Sequence, residues 1–144
     1  MKRGLLAIAL GIAFLILMIW IGTFLDSAVP HRVSAQVQTT QAGPYHVTLQ
    51  VNPNPPLTTQ ATTLSIQVLL NASRQPVANA RVTLLSNMQT MDMGIDQVEA
   101  PSQGNGMYLA TMQFAMSGPW RVQVLISMPG EAQTASAVFE VSAE

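Results

Sequence analysis

Two hydrophobic patterns divide the chain. Residues Leu5 to Leu25 form an unbroken apolar run of 21, whereas from Tyr45 onward apolar and polar residues alternate in short stretches separated by Pro, Gly and Asn. A run of that length, coiled as a helix, reaches roughly 30 Å and matches the hydrocarbon layer of a bilayer. Period-two alternation instead marks antiparallel strands with one buried face.

The alternation can be followed strand by strand. Tyr45, Val47, Leu49 and Val51 share a face that ends at Asn52-Pro53-Asn54-Pro55-Pro56. Leu64, Ile66, Val68 and Leu70 make a second stripe, closed by the polar turn Asn71 to Gln75, and Val82, Leu84 and Ser86 make a third. A weaker strand near Ile95 to Glu99 precedes the turn Pro101 to Gly106, whose glycines and asparagine supply the positive φ angles of a tight connection. A hairpin is predicted next. Its first arm carries Tyr108, Ala110, Met112, Phe114 and Met116 inward, and its second, after Ser117-Gly118-Pro119, carries Trp120, Val122, Val124, Ile126 and Met128. Ala135 to Val141 completes the set. With no helical period outside the leader, the expected fold is all-β: an immunoglobulin-like antiparallel β-sandwich of about seven strands, preceded by one N-terminal transmembrane helix.

Three segments follow: an N-terminal membrane anchor or signal segment over 1–26, a juxtamembrane tether over 27–42, poor in large apolar residues, and the sandwich over 43–144. Lys2 and Arg3 precede the apolar run and Asp26 follows it, which places the N-terminus in the cytoplasm and the domain on the extracytoplasmic side of a cell membrane crossed once. Val33-Ser34-Ala35 before Gln36 also has the small residues of a signal-peptidase site, so secretion after cleavage near Ala35 is the alternative. The run is longer than a usual signal core, and about ten residues separate it from that site, which favours a retained anchor. Both versions export the domain.

Composition narrows the chemistry. From Gly43 onward there are six acidic residues (Asp92, Asp96, Glu99, Glu131, Glu140, Glu144) against three basic ones (Arg74, Arg81, Arg121), and no lysine follows Lys2. Nucleic acid is excluded as a partner, because phosphate binding needs clustered Lys and Arg. The chain has no cysteine, so disulfides, thiolate nucleophiles and thiolate metal centres are absent. Its two histidines, His31 in the tether and His46 on an outward strand position, accompany no nucleophile-elbow motif, and Asp92, Asp96 and Glu99 lack the spacing of a calcium loop. No catalytic residue is assigned, and an enzyme is not expected.

Methionine is the exception. Seven of the nine fall from Met88 to Met128, three of them as M-x-x-M-x-M in Met88-Gln89-Thr90-Met91-Asp92-Met93. Thioether sulfur is a soft, neutral ligand suited to Cu(I). It is also an adaptable filler of cores and binding surfaces. Strand parity assigns Met112, Met116 and Met128 to the core, whereas Met88, Met91 and Met93 fall in a polar connection, where metal contact and packing as a hydrophobic lid both stand as readings.

The stretches Gly43 to Leu49, Asn52 to Pro56, Gln75-Pro76-Val77-Ala78-Asn79-Ala80-Arg81-Val82, Met88 to Gly94, Gly106-Met107-Tyr108 and Met116-Ser117-Gly118-Pro119-Trp120 occur in the order found in YtkA-like domains, which are related to FixH. The resemblance runs from about Gly43 to Val141. It implies an exported or anchored immunoglobulin-like sandwich with a methionine-bearing loop and a Met-x-Gly-x-Trp hairpin, and it places Met88, Met91, Met93 and Met116 at the family's methionine positions. Relatives of FixH are associated with cation pumps and with assembly of copper-containing respiratory oxidases. The resemblance therefore implies Cu(I) handling, with a membrane protein complex or a copper protein as partner. The alternative from the same residues is a metal-free interaction module or structural subunit docking on a membrane complex, with no cofactor.

Overall fold

In the computed structural model, residues 11–20 and 34–144 are described. Residues 11–20 are helical, and the remainder of the predicted membrane span lies outside the described residues. Among the described residues, no helix is long and apolar enough to cross a membrane. The globular unit runs Val33–Glu144.

That unit is built of nine strands: β1 (Val37–Ala42), β2 (Tyr45–Asn52), β3 (Thr62–Leu70), β4 (Arg81–Met88), β5 (Asp96–Ala100), β6 (Ser102–Gly104), β7 (Met107–Met112), β8 (Gly118–Ser127) and β9 (Thr134–Ala143). They form two antiparallel sheets, one ordered β1-β2-β3-β7-β6 and the other β5-β4-β8-β9. The inward stripes are the predicted ones, except that Leu70 and Met128 are half-buried and Met116 is exposed. Val47, Leu49, Val51, Leu64, Ile66, Val68, Leu84, Val122 and Val124 are completely buried, and each is separated from the next on its strand by an outward residue. Two apolar faces meeting in this way form one core, removed from water by the same alternation that specifies the register.

Three expectations change. First, the predicted arms 108–116 and 120–128 do not form a hairpin: β7 pairs with β3 and β6, while β8 pairs with β4 and β9 in the opposite sheet. The chain leaves β7 after Met112 and crosses between sheets with Phe114 buried on the way. Second, the tether assigned to 27–42 ends in strand β1, six residues registered on β2 from Val37 opposite Gln50 to Ala42 opposite Tyr45. Third, β1 and the short β6 raise the count above seven. Both are edge strands whose side chains are largely exposed, so neither carries a hydrophobic stripe.

Tyr108, on β7, ties the loop between β3 and β4 to the core. Its hydroxyl donates to the carbonyl of Val77 at 2.6 Å and accepts from the amide of Ala80 at 3.2 Å. Burial raises the phenol above its ordinary acidity constant of 10.0.

Candidate metal centre

The four methionines assigned to a metal site come from one end of the β5-β4-β8-β9 sheet. Met88 is not in the connection where the sequence placed it. It is the last residue of β4 and continues the inward stripe of Val82, Leu84 and Ser86, opposite Trp120 on β8, with 7% of its surface exposed. Its methyl carbon packs against Gly118, where a Cβ would lie only 2.8 Å away. Gly118 also has φ of +132°, so the backbone favours glycine there, whereas the Met88 methyl, at the end of a flexible side chain, could shift to admit a Cβ.

Beyond Met88 the chain makes one more sheet-like bond, the amide of Gln89 donating to the carbonyl of Pro119 at 3.0 Å, and then turns outward. The amide of Gly94 donates to Asp92 Oδ1 at 3.2 Å, a local turn that holds the tip of the loop. Met91 is 54% exposed, Met93 47% and Ile95 68%. Met88 and Met91 line a cavity of about 360 Å³ under this loop; Met93 and Met116 are not part of its wall.

Met116 departs from its predicted core position. The alternation of β7 ends at Phe114, and Met116 is 41% exposed. Its backbone is held, because the indole N–H of Trp120 donates to the Met116 carbonyl at 2.9 Å. Trp120 itself is buried, edge-on to Phe114 with ring centroids 5.4 Å apart at 68°. Met112 is buried and Met128 half-buried, as their parity predicts.

The donor set at this end is therefore three accessible thioethers and one enclosed one. Among the described residues, no group of three His, Cys, Asp or Glu side chains is arranged to hold a metal ion. His46 is half-buried on β2, one residue from the Tyr45–Leu70 pair at the opposite end of the sandwich, and His31 lies outside the described residues. The side-chain donors at the loop include the thioethers of Met91 and Met93 and the carboxylate of Asp92, which holds the Gly94 amide; thioether sulfur is a ligand suited to soft monovalent cations. Sequence reasoning missed the fixing of Met116 by Trp120 and the exposure of Ile95.

A second cavity, of about 490 Å³, opens at the other end of the sandwich between Arg81, Glu99, Ser127 and Glu131. Arg81 Nε and Glu99 Oε1 pair across it at 3.4 Å, both well exposed to solvent. Such a pair contributes little.

Fold and site together define a two-sheet β-sandwich with a methionine-bearing loop at one end. The sequence profile of the YtkA-like family matches residues 39–125, more than half of the chain, and the chain belongs to that family. No curated protein matches it. Among solved structures, the chain is similar to a crystal structure of an engineered protein, with 16% identity and a TM-score of 0.46 over 76% of this chain. It spans 21% of that protein's length.

Proposed function

We propose that this YtkA-like protein is an extracytoplasmic accessory protein, held at the membrane by its N-terminal apolar run, that takes up Cu(I) at the methionine-bearing end of the sandwich and passes it to a membrane partner such as a respiratory oxidase under assembly. The observation that carries this reading is the exposure of Met91, Met93 and Met116 at one end of one sheet, in a chain without cysteine. A core filler is buried; these three are not. Two or three neutral thioethers bind Cu(I) without adding charge or requiring deprotonation, so the ion remains exchangeable. Met88, the least accessible of the four, anchors the root of the loop beneath Gly118.

Anaerobic titration of the full chain with Cu(I) against a competing chelator tests this. About one ion per chain is expected to be retained, and Met91→Ala with Met93→Ala abolishes retention while the sandwich remains folded. No competition with the chelator by the unaltered protein defeats the copper reading.

The exposure of Ile95, at 68%, favours a second reading, because an isoleucine offers no ligand atom. Met91, Met93 and Ile95 then form an adaptable apolar surface that docks on a membrane complex without metal. Under it, the same double substitution weakens partner capture and leaves copper irrelevant.

A further inference from the structure

The apolar loop and the point where the chain enters the sandwich lie at the same end. Ser34 Oγ accepts from the amide of Ser142 at 3.1 Å, and its carbonyl accepts from Asn54 Nδ2 at 2.9 Å. Ser142 on β9 is paired with Pro119 on β8, and the carbonyl of Pro119 accepts from the amide of Gln89 at the root of the methionine loop. Ser34, Ser142, Pro119 and Gln89 therefore form a row across the sheet. At about 4.8 Å per strand step, the loop begins on the order of 15 Å from Ser34.

Only eight residues, 26–33, separate Leu25, the end of the apolar run, from Ser34. Fully extended they reach roughly 30 Å. A bilayer entered by that run lies within reach of the end that carries the loop, whereas the opposite end meets it only when those eight residues are almost fully extended along the sandwich. The opposite end of the sandwich, marked by the turn Asn71 to Gln75 after β3, is a further strand length of roughly 25 Å away. At the near end the exposed large apolar side chains are Met91, Met93, Ile95, Met116, Val37 at the start of β1, and Leu57 in the β2–β3 loop, whose Thr58 amide donates to the Glu144 carbonyl. The nearby charges are mostly acidic, Asp92, Asp96, Glu140 and Glu144 against Arg121, so the surface is not one that anionic groups attract.

We propose that the methionine-bearing end of the sandwich docks on the bilayer interface, with Met91, Met93 and Ile95 entering the headgroup region by apolar contact. This rests on the retained anchor of the proposed function and is independent of copper. Apolar contact of this kind survives high salt, unlike attachment through a basic patch.

The absence of cysteine permits single labels. Full-length Ile95→Cys, Leu57→Cys and Ser73→Cys, each carrying an environment-sensitive fluorophore, are reconstituted in phosphatidylcholine vesicles containing a lipid with a quencher near its headgroup. Quenching at residues 95 and 57 is expected to exceed that at residue 73 several-fold and to persist in high salt. Met93→Asp with Ile95→Asp reduces quenching at residue 57 to the level of residue 73, with unchanged circular dichroism. Equal quenching at all three positions in protein that stays with the vesicles overturns the docking and leaves the anchor standing. Unchanged quenching at residue 57 in the double aspartate variant overturns it too. Protein that leaves the vesicles on alkaline washing overturns the anchor, and the docking with it.

Discussion

Tyr108 shows how a single polar atom is accommodated in this core. The side chain is fully buried, and its hydroxyl both donates to Val77 and accepts from Ala80, so one phenol satisfies two backbone groups of the β3–β4 loop. Tyr108→Phe leaves both unpaired and lowers stability by about 1–3 kcal/mol, measured as a shift in the urea midpoint. Next to it, Gly106 has φ of +71°, and a Cβ there would lie 2.6 Å from the Val68 carbonyl oxygen and 3.0 Å from the Val77 amide nitrogen. Backbone atoms do not move aside as a side chain does, so Gly106→Ala destabilises by more than Tyr108→Phe, on the order of 3 kcal/mol or above. Burial is the first cause that raises the phenols of Tyr45 and Tyr108, with the Glu131 carboxylate adding to it for Tyr45. A raised folded value means that the unfolded chain releases its proton first. The stabilisation is complete below pH 10.0 and is lost as pH climbs from there through the folded values. Unfolding free energy is therefore expected to fall steeply in alkaline titration, and Tyr108→Phe flattens that fall.

Strand β4 illustrates what the alternation revealed and what it concealed. Its stripe of Val82, Leu84 and Ser86 was visible, yet it runs one step further, to Met88, because Met88 still pairs with Trp120 on β8. The polar neighbours Asn87 and Gln89 made that position look like loop. The two halves of the M-x-x-M-x-M motif accordingly differ: Met88→Ala empties core volume and costs about 2–5 kcal/mol, whereas Met91→Ala changes stability by less than about 0.5 kcal/mol. Denaturant unfolding of the two variants side by side checks this. The buried faces of β2, β3, β7 and β8 were legible for the same reason as that of β4, namely that each has one face against the core and a period of two. Strand β1 was not, since Val37, Thr39 and Gln41 are exposed and only Ala42 is buried. Its place is set by backbone pairing with β2, which side-chain pattern does not record. The predicted hairpin failed on partner choice: alternation identified β7 and β8 as strands, but it carries no information on whether a strand pairs with its neighbour in sequence or with β3 and β4. Phe114 continued the stripe in sequence while the chain was already crossing between sheets, and this also misassigned Met116.

At the scale of the whole domain, β1 links the two sheets along one side. It completes the ladder on β2, and Gln38 Nε2 reaches across to donate to the Glu140 carbonyl on β9 at 2.6 Å. Ser34 makes the adjoining contact with Ser142. Without this segment β2 becomes an edge strand with unpaired backbone, while β9, already an edge, loses the Gln38 and Ser34 contacts that cover part of its rim; neither a lysine nor a proline occurs within these two strands to blunt strand-on-strand association. A chain beginning at Gly43, the boundary that alternation suggests, is therefore expected to be less stable than one beginning at Ser34 and to associate as concentration rises. The six-residue ladder contributes several net hydrogen bonds of about 1 kcal/mol each, so the shorter chain loses a large part of a stability that is ordinarily about 5–15 kcal/mol. Comparing the urea midpoints and the sedimentation of the two chains decides the point. Equal midpoints and a monomeric shorter chain would mean that β1 merely lies along the sandwich. A lower midpoint with association would make β1 a structural part of the domain, and Ser34 the place where any tether must end.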